Sequence, residues 1–132
     1  MNKFLKTLFS VFLILLLETS VSYSEQPKIK IGVLAPLSGE NASLGKQILN
    51  SIRMALIDIS NNKIEIYPKD TKSDPDITLR SALELEQMGI SLVVGPVFHK
   101  NLLYLDKVKN ITFLSLTNKT LDLHKNVISS GI

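Results

Sequence analysis

The sequence of 132 residues contains no cysteine. A chain without thiols cannot be cross-linked by disulfides, cannot offer thiolate ligands to a metal ion and has no cysteine nucleophile. It also has no cysteine that could carry a lipid near its N-terminus. We therefore expect a mature protein that folds on packing alone and is not tethered to a membrane through a lipid.

The sequence also lacks a hydrophobic run long enough to span a bilayer. Its longest apolar stretch, residues 8–17, is interrupted by one serine and ends before Glu18, whereas a spanning helix needs ~20 residues. Two lysines precede the stretch, and Ser22 and Ser24 follow it at the spacing that signal peptidases accept. These features predict a signal peptide over residues 1–24. A short N-terminal membrane anchor is the alternative interpretation.

A strong charge of either sign is missing as well. Removing residues 1–24 takes away Lys3, Lys6 and Glu18, so that 13 of the 15 basic and 11 of the 12 acidic side chains remain. The lysines are scattered among carboxylates rather than gathered in the basic stripe of a nucleic-acid-binding protein. We expect a solvated surface of mixed charge and no nucleic-acid partner.

After residue 28, short apolar runs alternate with longer segments of helical period, which is typical of βαβ units on a parallel sheet. The pattern predicts an α/β fold, an open and mainly parallel sheet with helices on both faces. The predicted strands cover residues 29–35, 64–67, 91–95, 111–116 and 127–132, and the predicted helices cover residues 44–59, 75–88 and 101–108.

The second predicted helix has clear signals at both ends. Asp74 precedes Pro75, as an N-cap residue precedes a proline at the first helical position, and Gly89 supplies a left-handed C-cap. Asp70 and Asp76 lie near Asp74, but the glycine and the closing glutamate of a calcium loop are absent. Capping and solubility account for these three acids better than a metal site does.

In open α/β sheets, ligands bind beyond the carboxyl ends of the strands. In this chain those ends are followed by residues 36–41, 96–100 and 115–120. The N–H groups and hydroxyls of such loops are well placed to hold a carboxylate or another small polar group. We expect the binding site at this edge of the sheet.

Motifs of catalysis are missing. The loop from Gly39 to Lys46 follows a strand, but it has five residues between its glycines and Gln47 after its lysine, so it departs from the phosphate-binding pattern. The rival hypothesis, a nucleotide hydrolase using Gly45 and Lys46, therefore lacks its motif. There is no G-x-G-x-x-G or G-x-S-x-G sequence either. His99 and His124, the only histidines, have no third ligand at a suitable spacing. We expect no enzymatic activity, no cofactor and no metal.

Several segments together resemble a known family: I-G-V-L-A-P-L-S-G at residues 31–39, then Gly45, M-A-L-I-D at 54–58, V-V-G-P at 93–96 and S-L-T-N at 115–118. This series is similar to the type I periplasmic binding proteins of the leucine/isoleucine/valine-binding family. The resemblance covers nearly all of residues 28–132. It implies the N-terminal lobe of a two-lobed periplasmic protein, with the second lobe absent, and a ligand such as an amino acid passed to the permease of an ABC transporter.

The resemblance also implies ligand contacts. In amino-acid-binding members, a backbone carbonyl and a threonine hydroxyl after the fourth strand receive the ligand's ammonium group, which corresponds to Ser115 and Thr117 here. Ser38 and Gly39 lie on the first loop of the same edge. After the third strand those members present small hydroxyl residues, whereas this chain has Phe98 and His99; we include both among the candidate contacts.

The same departure supports a second interpretation. Y-P-K-D-T at residues 67–71 and G-P-V-F at residues 95–98 resemble the penicillin-binding protein activator branch, which shares the fold but regulates cell-wall synthesis through protein contacts. Its expected partner is a peptidoglycan synthase. A third interpretation is a stable lobe that has no ligand of its own.

Overall fold

The structure is a computed structural model that describes residues 2–3, 27–60, 62–119 and 122–131. The predicted signal peptide, except Asn2 and Lys3, lies outside the described residues. Within the described part of the chain, no helix is both long enough and apolar enough to cross a membrane.

One five-stranded sheet organises the described part of the chain, and all of its strand pairs are parallel. The strands lie in the order β2-β1-β3-β4-β5. Their bounds are β1 Ile29–Ala35, β2 Ile64–Asp70, β3 Leu92–Val94, β4 Thr112–Ser115 and β5 Val127–Ser129. The predicted parallel α/β sheet is confirmed. The strand order reverses direction between β1 and β3, and such a switch point is where a doubly wound sheet opens a crevice.

Two α-helices pack on opposite faces of the sheet. Helix α1, Ala42–Ile59, places Leu49 against β1 residues Val33 and Ala35. Helix α2, Pro75–Gln87, lies on the other face and packs there with Leu34 and Phe113 in the larger core cluster. Both faces of β1 are therefore covered at its C-terminal end, as expected for the apolar run Val33–Ala35.

The N-terminus of α2 begins as the sequence predicts. The Asp74 carboxylate accepts a hydrogen bond from the N–H of Ile77 at 2.9 Å, and Pro75 occupies the first helical position. Gly89 has a φ of +75° just past the helix, where a left-handed residue is needed. The structure confirms both signals. They could be predicted from the sequence because each depends only on neighbouring residues.

The predicted third helix over residues 101–108 is wrong. The chain instead forms two 3₁₀ helices, His99–Leu102 and Leu105–Lys107. Backbone N–H groups here donate to the carbonyl three residues earlier, as from Asn101 to Phe98 and from Val108 to Leu105, which is the hydrogen-bond pattern of a 3₁₀ helix rather than of an α-helix. The last strand is also shorter than predicted: β5 ends at Ser129, and Ile132 lies outside the described residues.

Candidate ligand-binding site

The loops that follow β1, β2, β3 and β4 meet at the carboxyl edge of the sheet. Because β1 pairs with both β2 and β3, the loop after β1 lies between two others. Hydrogen bonds join the β1 loop to the β2 loop and the β3 loop to the β4 loop. The switch point between β1 and β3 lies within this group of loops.

Asp70, the last residue of β2, holds the loop that follows β1. One carboxylate oxygen accepts from the N–H groups of Leu37 at 2.8 Å, Ser38 at 3.3 Å and Lys72 at 2.9 Å. The other oxygen accepts from the Ser38 hydroxyl. The carboxylate thus ties the β1–α1 loop to the β2–α2 loop.

The pKa of Asp70 is lowered from its ordinary value of 3.8. Partial burial would by itself raise the pKa, because it disfavours the charged form. The hydrogen bonds from Ser38, Lys72 and Leu37 stabilise the carboxylate and outweigh burial. Asp70 is therefore an ionised acceptor at neutral pH.

The β2–α2 loop adopts an uncommon backbone to make these contacts. Lys72 and Ser73 both have positive φ, 49° and 59°, a region that costs non-glycine residues of order 1 kcal/mol or more. This conformation turns the Lys72 N–H toward Asp70, while Ser73 accepts a second inter-loop bond from the Asn41 amide at 3.1 Å. Two separate contacts therefore hold the two loops together.

Close backbone packing fixes the other side of the β1–α1 loop. A Cβ added at Gly45 would lie 2.0 Å from the carbonyl oxygen of Pro36, and one added at Gly95 would lie 2.1 Å from that of Leu34. Only residues without a side chain permit these approaches. Glycine thus brings α1 and the β3 loop against the end of β1.

The β3 and β4 loops are joined through Ser115, which is fully buried. Its hydroxyl donates to the carbonyl of Pro96 at 3.0 Å and accepts from the N–H of Thr117 at 3.3 Å. Thr117 is 6% exposed, and its hydroxyl accepts from the N–H of Lys119 at 3.3 Å. Because a hydroxyl has two lone pairs and one proton, Thr117 retains the capacity to bind a further group.

The loop after β3 contributes larger side chains. Phe98 and His99 are half-buried, and Phe98 immediately precedes the first 3₁₀ helix. The neighbouring Asn101 is 1% exposed, and its amide has no hydrogen-bond partner among the described residues, as is also true of Nδ1 of His99. This loop is the most aromatic part of the edge.

Comparison with known proteins identifies the family. Residues 28–127 match a family described as periplasmic binding protein. The chain belongs to this family. The family expectation based on the motifs is thereby confirmed.

One relative and several solved structures extend the comparison. The uncharacterized protein MJ1266 of Methanocaldococcus jannaschii is 30% identical over 109 residues, covering 76% of this chain and 25% of the relative. A solute-binding protein of an ABC transporter from Rhodopseudomonas palustris BisB5, in complex with 3,4-dihydroxybenzoic acid, is 26% identical with a TM-score of 0.64, covering 70% of this chain and 28% of that one.

Two further structures represent the two branches suggested by the motifs. LivJ from Streptococcus pneumoniae, a branched-chain amino acid transporter substrate-binding protein in complex with isoleucine, is 25% identical with a TM-score of 0.58 and covers 68% of this chain and 29% of that one. The C-domain of LpoA from Haemophilus influenzae, a regulator of PBP1A, is 26% identical with a TM-score of 0.60. The match covers 74% of this chain and 31% of that one. The chain spans less than a third of the length of each of these proteins.

Within this periplasmic binding protein, the six candidate contacts fall on three loops at one edge. Ser38 and Gly39 follow β1, Phe98 and His99 follow β3, and Ser115 and Thr117 end and follow β4. Direct contact of these residues with a ligand remains a prediction. Within the described residues, no group of three His, Asp or Glu side chains is arranged to hold a metal ion.

Sequence reasoning missed the role of Asp70. It grouped Asp70 with Asp74 and Asp76 as capping and solubilising acids, which is right for the N-cap Asp74. Asp70 instead binds a loop 32 positions earlier in the chain. The predicted strand ended at Tyr67, whereas β2 runs to Asp70, so the sequence did not show Asp70 as the end of a strand or β1 and β2 as neighbours.

Proposed function

We propose that this chain forms one lobe of an exported, non-catalytic solute-binding protein and that its carboxyl-edge loops bind a small polar ligand such as an amino acid. The observation that carries the proposal is the set of loops held together around the switch point between β1 and β3. Sheets of this kind bind their ligands in that crevice. The fold neighbours in complex with isoleucine and with 3,4-dihydroxybenzoic acid support a small polar ligand.

Thr117 is the proposed principal contact. Its hydroxyl lies just past β4, and its backbone carbonyl accepts from the Ser129 hydroxyl at 2.6 Å, which fixes the orientation of the peptide. Ser115 is proposed to act through Thr117, because its own hydroxyl is occupied by Pro96 and by the Thr117 N–H. Ser38 and Gly39 form the opposite side of the site.

A single lobe provides only one wall of a cleft. The solute-binding neighbours are more than three times as long as the region they share with this chain. We propose that a second lobe supplies the opposite wall and that the closed form is recognised by the permease of an ABC transporter.

The binding proposal can be tested by NMR titration of the purified protein, which detects even the weak binding expected of one lobe. Branched-chain and polar amino acids and 3,4-dihydroxybenzoate are the ligands to titrate. We expect saturable shifts of the Gly39 and Thr117 amide signals. The Thr117→Val variant should weaken binding by ~1 to 3 kcal/mol, the cost of leaving a buried polar partner unpaired.

Thr112→Val is the matched control, because Thr112 is exposed and lies at the opposite end of the same strand. It should bind like the wild type. Equal affinities for wild type and Thr117→Val would show that the ligand binds elsewhere, and no saturable shift with any of these ligands would contradict the binding function.

A second candidate function is regulation of peptidoglycan synthesis through protein contacts. Phe98 favours it, because a half-buried aromatic ring on an edge loop is typical of interface hot spots. The similarity to the C-domain of LpoA, which regulates PBP1A, also supports it. In this function the partner would be a peptidoglycan synthase rather than a permease.

A pull-down from bacterial membranes separates the two functions. Recovery of a peptidoglycan synthase by the wild type, lost in Phe98→Ala, would establish regulation. Leu103→Ala is the control, since Leu103 is an exposed apolar residue close to the same loop. Binding of a free amino acid without recovery of a synthase would exclude the regulatory function.

A further inference from the structure

The Asp70 carboxylate is largely engaged by the two loops that it joins. An ionised carboxylate offers about four lone-pair positions, two on each oxygen. The N–H groups of Leu37, Ser38 and Lys72 share one oxygen, and the Ser38 hydroxyl binds the other, which keeps one lone pair. Asp70 therefore acts on a ligand mainly through the groups that it holds.

The most consequential of these groups is the Ser38 hydroxyl. A serine hydroxyl has one proton, and here that proton is donated to an acceptor that cannot donate in return. The N–H groups of Leu37 and Ser38 are also directed to the carboxylate. Toward the cleft, this part of the loop keeps the lone pairs of the Ser38 oxygen but none of these three protons.

We infer that Asp70 is a specificity-determining residue that orients the Ser38 hydroxyl as a hydrogen-bond acceptor, so that the β1–α1 loop takes an ammonium or other donor group of the ligand and rejects a carboxylate. The inference rests on the proposed solute-binding function and specifies the chemistry of its site. A carboxylate placed at Ser38 would face oxygen lone pairs and the negative charge of Asp70. An ammonium group would instead gain a charge-assisted hydrogen bond.

The Asp70→Asn variant should reverse this polarity. The amide oxygen of asparagine can still accept from Leu37, Ser38 and Lys72, but its nitrogen must donate where the second carboxylate oxygen accepted. The Ser38 hydroxyl then accepts from the amide and can point its own proton into the cleft. The loop would remain in place while its hydrogen-bonding preference changes.

Two probes of matched shape test the reversal: isoamylamine, which carries an ammonium group, and 4-methylpentanoate, which carries a carboxylate on the same branched chain. Their affinities are measured by NMR titration of the purified full chain. We expect the wild type to prefer the amine and Asp70→Asn to shift the ratio of the two affinities by roughly tenfold or more toward the acid, in line with the strength of hydrogen bonds to charged groups.

Two further variants separate hydrogen bonding from charge and from folding. Asp76→Asn removes the same charge from an exposed position at the start of α2 and should leave the ratio unchanged. Ser38→Ala removes the acceptor but keeps Asp70, so it should weaken amine binding without improving acid binding. Ser38→Ala also tests the inference should Asp70→Asn fail to fold.

The outcomes are distinct. If neither the probes nor the amino acids bind the wild type, both the proposed function and this inference are overturned. If the probes bind but the wild type prefers the acid, or Asp70→Asn weakens both equally, only the inference is overturned, and Asp70 is then a purely structural residue. A ratio that shifts equally in Asp76→Asn would assign the effect to general electrostatics and would also overturn it.

Discussion

Helix α1 approaches the end of β1 at Gly45, where an added Cβ would lie 2.0 Å from the carbonyl oxygen of Pro36. The contact is made with backbone, which cannot move aside as a flexible side chain can. It places the N-terminus of α1 directly beneath the loop that carries Ser38 and Gly39. This glycine therefore connects helix packing with the geometry of the candidate site.

We predict that Gly45→Ala destabilises the protein. Alanine inside a helix normally stabilises a protein by about 1 kcal/mol relative to glycine. Overpacking, however, costs ~1 to 3 kcal/mol of stability, and a clash with backbone is expected at the upper end of that range. Urea unfolding should show a net loss. Asn50→Ala, at an exposed position of the same helix, should be neutral or slightly stabilising. A Gly45→Ala protein as stable as the wild type would contradict the observed packing.

A second prediction concerns the cap of α2. Asp74→Ala removes the acceptor of the Ile77 N–H and should lower the free energy of unfolding by ~1 kcal/mol. Asp76→Ala is the matched control, because it removes an exposed acid from the first turn without removing a cap. It should cost only a few tenths of a kcal/mol through the helix dipole. Equal losses in the two variants would argue against the capping bond.

The pKa of Asp70 predicts a loss of stability in acid. Because the folded pKa is below the ordinary value of 3.8, the unfolded chain binds a proton more readily than the folded one. The stabilisation is fully present above the ordinary pKa and is lost as the pH falls through the folded pKa. Urea unfolding from about pH 6 to about pH 2 should show a smaller decline in Asp70→Asn than in the wild type.

Glu84 is the appropriate control for this titration. Its pKa is also lowered, by its hydrogen bond and ion pair with Lys69, but the pair is solvent-exposed, and exposed pairs contribute little. Glu84→Gln should therefore leave most of the acid sensitivity in place. If Asp70→Asn retained the full decline of the wild type, the loop contacts of Asp70 would not stabilise the fold.

A fourth prediction concerns the N-terminus. If residues 1–24 are a signal peptide, the mature protein begins at Glu25 and is recovered in the periplasmic fraction. N-terminal sequencing of the exported protein tests this directly. Leu15→Arg places a charge in the apolar stretch and should block export. A mature chain that begins at Met1 and sediments with membranes would instead support an N-terminal anchor.

Much of the fold was predictable because its signals are local. The apolar run of β1, the helical period of α1 and the Asp74-Pro75 start of α2 all depend on residues within a few positions of one another. The third helix was mispredicted for the same reason: Leu102, Leu105 and Val108 are close enough to an α-helical spacing to suggest one. Only the backbone hydrogen bonds of the folded chain, which span three residues rather than four, distinguish the two kinds of helix.

The sequence by itself determined the order of the five strands and the first two helices, the parallel α/β class and the loops on which Ser38, Phe98 and Thr117 lie, because hydrophobic period and turn residues report local structure. The tertiary structure alone decided which strands are neighbours. It brought Asp70 to the hydroxyl of Ser38, 32 positions away, and placed Gly45 against Pro36. Such contacts follow from how the sheet is assembled, and no local pattern of residues encodes which loops then meet.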